Sequence, residues 1–339
     1  MITPGSASTV SARPPLLGER YLELIAPKLE LVEDELRRNF VSDITTISEV
    51  GTHLLNGGGK RLRPILLLLA ADMIGYAGRK DVIYAAVVEF IHTATLVHDD
   101  IIDEAAIRRG QKSVNYGWGN SLGVLVGDYL YMHAMKIALD EGNLDILRLL
   151  STITIRMIEG EILGLEQNGS AHLTLDQYFD VAGRKTAALF GASCRIPAYL
   201  TNAAPEVHTA LFDYGYNLGV CFQLIDDLLD VTSSTEVLGK PAISDLKEGK
   251  LTLPIILALP RATESERAII ETIVHQKSFE GVDSAEVGRI VRKYGGVERS
   301  LEFAREYADR ARGALGTFSP SPAREALDWA LDFVLSRDH

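Results

Sequence analysis

IYAAVVEFIHTATLVHDDIID, residues 83–103, is apolar on more than one helix face and ends in three aspartates, Asp99, Asp100 and Asp103. A second stretch, NLGVCFQLIDDLLDV at 217–231, repeats the plan with Asp226, Asp227 and Asp230. Helices of this kind belong inside a large bundle rather than on its surface. Positions i and i+4 share a helix face, so Asp99 projects with Asp103, and Asp226 with Asp230. Six carboxylates on apolar helices are costly to bury without cations. Mg²⁺, hard and oxygen-seeking, suits them, because it bridges a few carboxylates to substrate phosphates. A single Asp-Asp-x-x-Asp set reads as a solvated helix face or an N-cap. Two sets on apolar helices, with basic motifs around them, point to a metal–phosphate site.

Outward from these segments the chain keeps a helical rhythm. Apolar residues recur at three- and four-residue intervals, as in Leu22, Ile25, Leu29 and Val32, or Leu144, Leu147, Leu150, Ile153 and Met157. NGGGK, YAGRK and YGGVE separate the runs as turn signals. No sustained strand alternation, dinucleotide-binding glycine fingerprint or solenoid repeat is present. Residues 1–15, rich in Ser, Thr, Pro and Ala, are expected to be disordered. Residues 16–339 are expected to form one all-α domain, a large helical bundle with a central cavity flanked by the two aspartate helices.

Composition narrows the function classes. Of 339 residues, 47% are apolar and 24% charged, ordinary for a globular protein. The net charge of −12 argues against a nucleic-acid partner and offers no polybasic patch for lipid. It leaves a diphosphate substrate open, since local cations outweigh the total. Cys194 and Cys221 lack CxxC spacing and are read as buried and reduced. MITPGSASTVSARPP has no apolar signal core, and PILLLLAADMIGYA is interrupted by Asp72 and too short to span a bilayer. A cytoplasmic protein without a transmembrane segment is expected.

Basic motifs complete the picture. Gly57-Gly58-Gly59-Lys60-Arg61-Leu62-Arg63-Pro64 precedes an apolar helix. Its glycines let backbone N–H groups approach an anion, Pro64 suits a first helical turn, and Lys60 and Arg63 add a point charge and a bidentate fork. Arg108-Arg109-Gly110 follows the first aspartate cluster, read here as arginines at a helix end. His92 lies two turns before Asp99 on the same face. A lone histidine in an apolar helix is ordinarily a core residue. Farther on come Arg184-Lys185-Thr186, Gln223, Gly239-Lys240-Pro241 and Asp245 to Lys250. Each is weak singly; their order around the two clusters is specific.

Over residues 18–335 the chain resembles the trans-isoprenyl diphosphate synthases, or polyprenyl synthetases. The resemblance rests on GGGKRLRP, LVHDDIIDEAAIRRG, GDYL, GRKTAALF, FQLIDDLLDV, GKPAISDLKEGKLTLP and YGGVERSLEFA. It implies condensation of an allylic diphosphate with isopentenyl diphosphate by ionisation, addition and proton loss. Mg²⁺, three ions per site with substrate bound, would neutralise the leaving diphosphate. Asp99, Asp103 and Asp226 would ligate it directly, and Asp100, Asp227 and Asp230 less directly or through water. The resemblance assigns Arg108, Lys185, Lys240 and Lys250 to the allylic diphosphate, with Thr186 and Gln223 near the reacting carbon. It assigns Lys60, Arg63, His92 and Arg109 to isopentenyl diphosphate. Main-chain carbonyls, Thr186 and Gln223 would stabilise the cation, and released diphosphate would take the proton.

In this family the product grows down a tunnel beside the first aspartate helix. Thr95 and Ala94, four and five residues before Asp99, lie about 6–8 Å down that helix and are small where short-chain synthases place an aromatic. Ile91, Val88 and Val87, one turn on, are aliphatic, and Arg156–Leu165 is expected to help form the floor. A C35–C50 product is therefore expected, C40 favoured, with farnesyl or geranylgeranyl diphosphate as primer and quinone side chains as the setting. A C20 (geranylgeranyl) product is the alternative. A terpene cyclase would not need the isopentenyl-site cations, and a non-catalytic subunit would be expected to lose aspartates. The resemblance also implies a homodimer and leaves room for a small partner subunit.

Overall fold

The computed structural model describes residues 19–232 and 243–337. The 1–15 segment and Lys240 lie outside these residues. The chain begins with α1 (Glu19–Asn39), α2 (Thr45–Asn56), α3 (Leu62–Met73) and α4 (Lys80–Ile102), the last carrying the first aspartates. A hairpin of β1 (Ile107–Arg108) and β2 (Gln111–Lys112) follows, then α5 (Val114–Trp118), α6 (Asn120–Asp140) and α7 (Leu144–Gln167). Next come α8 (Leu175–Ala182), a π-helical turn at Gly183–Ala187, α9 (Ala188–Leu200) and α10 (Pro205–Thr232), which carries the second aspartates. Helices continue to Leu335. The all-α expectation holds.

The helices apolar on more than one face are the innermost. In α3 every residue from Arg63 to Ala71 is buried, and in α4 Tyr84 to Ile91 are buried without a gap. Among the described residues α4 is the one helix long and apolar enough to cross a membrane, and it is spent as core.

Local chemistry sets the ends that matter. Asn143 caps α7 by accepting from the N–H groups of Asp145 and Ile146, and Thr174 with Gln177 forms a capping box on α8. Two glycines let α10 press onto its neighbours. A Cβ at Gly219 would lie 2.7 Å from Ala187 Cα, and one at Gly215 would strike the Phe190 carbonyl oxygen. Glycine costs a helix roughly 1 kcal/mol relative to alanine. Here close packing offsets that cost and draws the second aspartates toward the π-turn.

One local expectation fails. Arg108 and Arg109 stand on the hairpin, not a helix end: Arg109 and Gly110 have φ 53° and 78° and form its two-residue loop. Positive φ at both positions matches the strand twist, and glycine supplies the second at no steric cost.

Candidate active site

A cavity of about 1500 Å³ reaches from the glycine-rich loop, past the first aspartates, to the middle of α7. Asp99, Lys185, Thr186 and Gln223 line it beside Lys60, Arg63, His92 and Arg109. The glycine-rich basic motif, His92 and Arg109 therefore share one chamber with Asp99, while Asp103 and the second aspartate cluster do not line it.

Asp103 closes α4 as its C-cap, one turn from Asp99. Burial pushes the Asp99 carboxyl up to about 6; Lys185, 3.9 Å away, pulls it back, and the Glu161 and Asp103 carboxylates push it further. Lys185 also contacts Glu161. Asp103 accepts from Lys250 Nζ at 2.8 Å. Burial opposes the Lys250 charge, but Asp103 and Glu248 raise its pKa above the usual lysine value. Asp100 turns away, accepting from Arg108 Nε at 2.7 Å, and burial raises its pKa against that arginine.

The second cluster divides similarly. Asp226 is 55% exposed, with Arg337 3.5 Å away. Asp227 is buried: Oδ1 accepts from Gln223 Nε2 at 2.9 Å, and Oδ2 from the Tyr178 hydroxyl at 2.6 Å and the Leu253 N–H at 3.2 Å. Burial pushes Asp227 up to about 7 while these three donors hold it down. Asp230 accepts from the Ser244 hydroxyl at 2.9 Å and the Ser244 N–H at 3.2 Å.

The donor set fits a divalent cation. Asp99, Asp103 and Asp226 offer hard oxygens, and the first two are neutralised by lysines. Among the described residues no three acidic, histidine or cysteine side chains stand together as a group that could hold a metal ion. An ion held here by Asp99, Asp103 and Asp226 would need further oxygens from outside the protein. Asp100, Asp227 and Asp230 each spend oxygens on protein donors.

The opposite end is cationic. Arg61 sits at the N-cap of α3 with φ 49°. It donates from Nε to Glu33 at 2.6 Å and from Nη1 to Glu89 at 2.9 Å. Arg109 contacts the Gly58 carbonyl oxygen, and a Cβ on Gly59 would come within 2.6 Å of Arg109 Nη1. Arg63 lies 4.5 Å over the Phe190 ring, and burial brings it down to about 10. Burial, then Arg63, Arg109 and two further arginines, hold His92 well below the usual histidine pKa, so it is neutral. It can accept a hydrogen bond through one ring nitrogen and donate through the other.

Two sequence expectations shift. Thr95 lines the cavity, but Ala94 and Ile91 are buried behind the wall, because their side chains leave α4 toward the core. Met157, Ile158, Ile162 and Leu165 line it instead, within the expected Arg156–Leu165 segment. Arg108 and Lys250 adjoin the aspartates without lining the main chamber. Glu89, Glu161 and Tyr178 were not singled out by sequence; a lone acid in an apolar helix, as at Glu89, was the available signal.

The chain belongs to the Polyprenyl synthetase family, whose profile matches residues 44–291. It is a prenyltransferase that makes a polyprenyl diphosphate. It is 38% identical over 320 residues to the octaprenyl diphosphate synthase of Escherichia coli K12, covering 94% of this chain and 99% of that protein. It is 36% identical over 321 residues to a short-chain isoprenyl diphosphate synthase of Methanothermobacter thermautotrophicus, covering 93% and 98%. A Caulobacter crescentus CB15 polyprenyl synthase, solved with calcium and isoprenyl diphosphate, superposes with TM-score 0.90 at 35% identity, covering 96% and 99%.

Proposed function

We propose that the protein extends farnesyl or geranylgeranyl diphosphate with isopentenyl diphosphate to a trans-polyprenyl diphosphate of C35–C50, C40 favoured. The observation that carries this is the cavity itself. Beyond Thr95 its wall is aliphatic, with Met157, Ile158, Ile162 and Leu165, and Phe222 is its sole Phe, Tyr or Trp among the described residues. Its volume of about 1500 Å³ exceeds the roughly 300–1,000 Å³ usual for small-ligand sites. The likeness to an octaprenyl diphosphate synthase supports the same length.

In this reading Asp99, Asp103 and Asp226 would hold Mg²⁺, which would supply positive charge for the leaving diphosphate. Lys185 and Lys250, freed from the aspartates they now neutralise, hold the allylic diphosphate with Arg108 and Lys240. Lys60, Arg63, Arg109 and neutral His92 hold isopentenyl diphosphate. Thr186, held by Gln223, turns an oxygen toward the place where the cation forms. The enzyme acts in the cytoplasm as a homodimer, supplying quinone side chains. Leu125, Met132 and Leu139, seven apart and exposed on α6, with Ile155 on α7, offer an apolar face for the second copy.

A shorter, C20 product is the second reading, favoured by the likeness to a short-chain synthase. Purified chain given Mg²⁺, isopentenyl diphosphate and farnesyl diphosphate should yield C35–C50 by mass spectrometry, and Thr95→Phe should shorten it. A wild-type product ending at C20 overturns the long-chain reading. An unchanged length in Thr95→Phe overturns the tunnel's course past Thr95.

A further inference from the structure

A directed hydrogen-bond chain connects the buried aspartate of the second cluster to the reacting end of the cavity. Thr186, in the π-turn, and Gln223, on α10, both line that cavity. The Thr186 hydroxyl donates to Gln223 Oε1 at 2.8 Å, and Gln223 Nε2 donates to Asp227 Oδ1 at 2.9 Å. The other Asp227 oxygen receives the Tyr178 hydroxyl and the Leu253 N–H.

Donor counting fixes the direction of every link. The ionised Asp227, whose other oxygen already receives two donors, has no hydrogen to give, so the Gln223 amide faces it with its NH₂ group. That leaves Oε1 toward Thr186, whose single hydroxyl hydrogen goes there. The Thr186 oxygen is left with lone pairs for the chamber. Where positive charge develops in a water-excluded site, an oriented acceptor stabilises it and an O–H hydrogen opposes it.

We propose that Asp227, held by Tyr178 and Leu253, is a positioning residue that sets the polarity of Thr186 through Gln223. This rests on the prenyl-transfer reading and goes beyond it, because it gives Asp227 a task distinct from holding metal.

Asp227→Asn tests the inference in the full-length protein. The Leu253 N–H can only donate, so the asparagine oxygen takes its place there and the NH₂ group turns to Gln223. Gln223 must then flip, present Nε2 to Thr186, and turn the Thr186 hydrogen into the cavity. We expect kcat to fall by roughly 100-fold, the scale for one oriented dipole at a charged transition state. KM for both diphosphates should stay within about twofold, a split that separates transition-state from ground-state contacts. Calorimetric titration with Mg²⁺ and inorganic diphosphate should be unchanged. The decisive comparison is Thr186→Val: harmful in wild type, neutral or beneficial in the Asp227→Asn background. Equal harm in both backgrounds overturns the inference, as does weaker Mg²⁺ binding with kcat restored at high Mg²⁺. Should Asp227→Asn fail to fold, Gln223→Leu replaces it, since it releases the hydroxyl and should shrink the Thr186→Val penalty; strict additivity overturns the inference. A wild type without polyprenyl product refutes the prenyl-transfer reading instead.

Discussion

Glu89→Ala should be among the most damaging single changes outside the aspartate clusters. The Glu89 side chain is 3% exposed and accepts from Arg61 Nη1 at 2.9 Å, while Arg61 is itself 9% exposed. Truncation leaves a buried guanidinium short of one counter-charge, and breaking such a pair typically costs about 3–5 kcal/mol. Arg61 keeps Glu33, bonded at 2.6 and 3.4 Å, so the loss belongs at the lower end. Arg63 and Arg109 also lose the carboxylate that favours their charged forms. About 3 kcal/mol follows, read in urea as a lower midpoint with unchanged slope. Glu89→Gln keeps an oxygen for Nη1 and gives up only charge assistance, so its loss should be nearer 1 kcal/mol. If Glu89→Ala costs less than about 1 kcal/mol, the size of an exposed pair, the buried-anchor account of the glycine-rich loop is wrong.

Gly215→Ala should destabilise the protein by about 1–3 kcal/mol through overpacking, since its Cβ would meet the Phe190 carbonyl and lie 2.8 Å from Cys194 Sγ; a chemical melt checks this. Glu266 gives a pH signature. Lys293, Tyr294 and Thr263 hold its carboxyl down to about 2 from the ordinary 4.5. A depressed folded pKa gives stability that is full above the unfolded value and lost as pH falls. Between about 4.5 and about 2, Glu266→Gln should therefore flatten the acid limb of the stability profile; an identical limb in wild type and variant would refute the assignment.

What the sequence disclosed followed from periodicity and from chemistry with few alternatives. The apolar faces of α3 and α4 could only be interior, and the i, i+4 aspartates shared a face as spacing required. The basic loop, His92 and Arg109 gathered at one end of the chamber. What stayed hidden depended on helix rotation and on distant partners. Ala94 and Thr95 are neighbours in sequence, yet about 100° apart around the axis, and the rotation of α4 puts Thr95 and Leu96 on the cavity and Ala94 in the core. Tyr178 reaches Asp227 across 49 positions, and Arg61 reaches Glu33 and Glu89 across 28 each. No local pattern announces such pairings. The hairpin beneath Arg108 and Arg109 was missed because two-residue strands leave no alternation to see.

The course of α4 explains why both ends of the chemistry meet. Glu89, His92, Thr95, Asp99 and Asp103 follow one another at intervals of three, three, four and four, which keeps them on one stripe of the helix. Over fourteen positions that stripe spans about 21 Å at 1.5 Å per residue. It runs from the buried arginines, through the aliphatic chamber, to the carboxylates. The helix dipole sharpens the contrast. Its C-terminal end carries partial negative charge, and the aspartates sit there, where carboxylates are least welcome. The fold thus concentrates negative charge beyond what the side chains alone provide, and Lys185 and Lys250 answer it. A divalent cation held by these carboxylates would supply the neutralising charge the lysines now give and would leave the lysines to an anionic substrate. One residue inserted between His92 and Asp99 would turn the aspartates about 100° off the stripe, so the aspartate end and the arginine end would no longer face the same cavity.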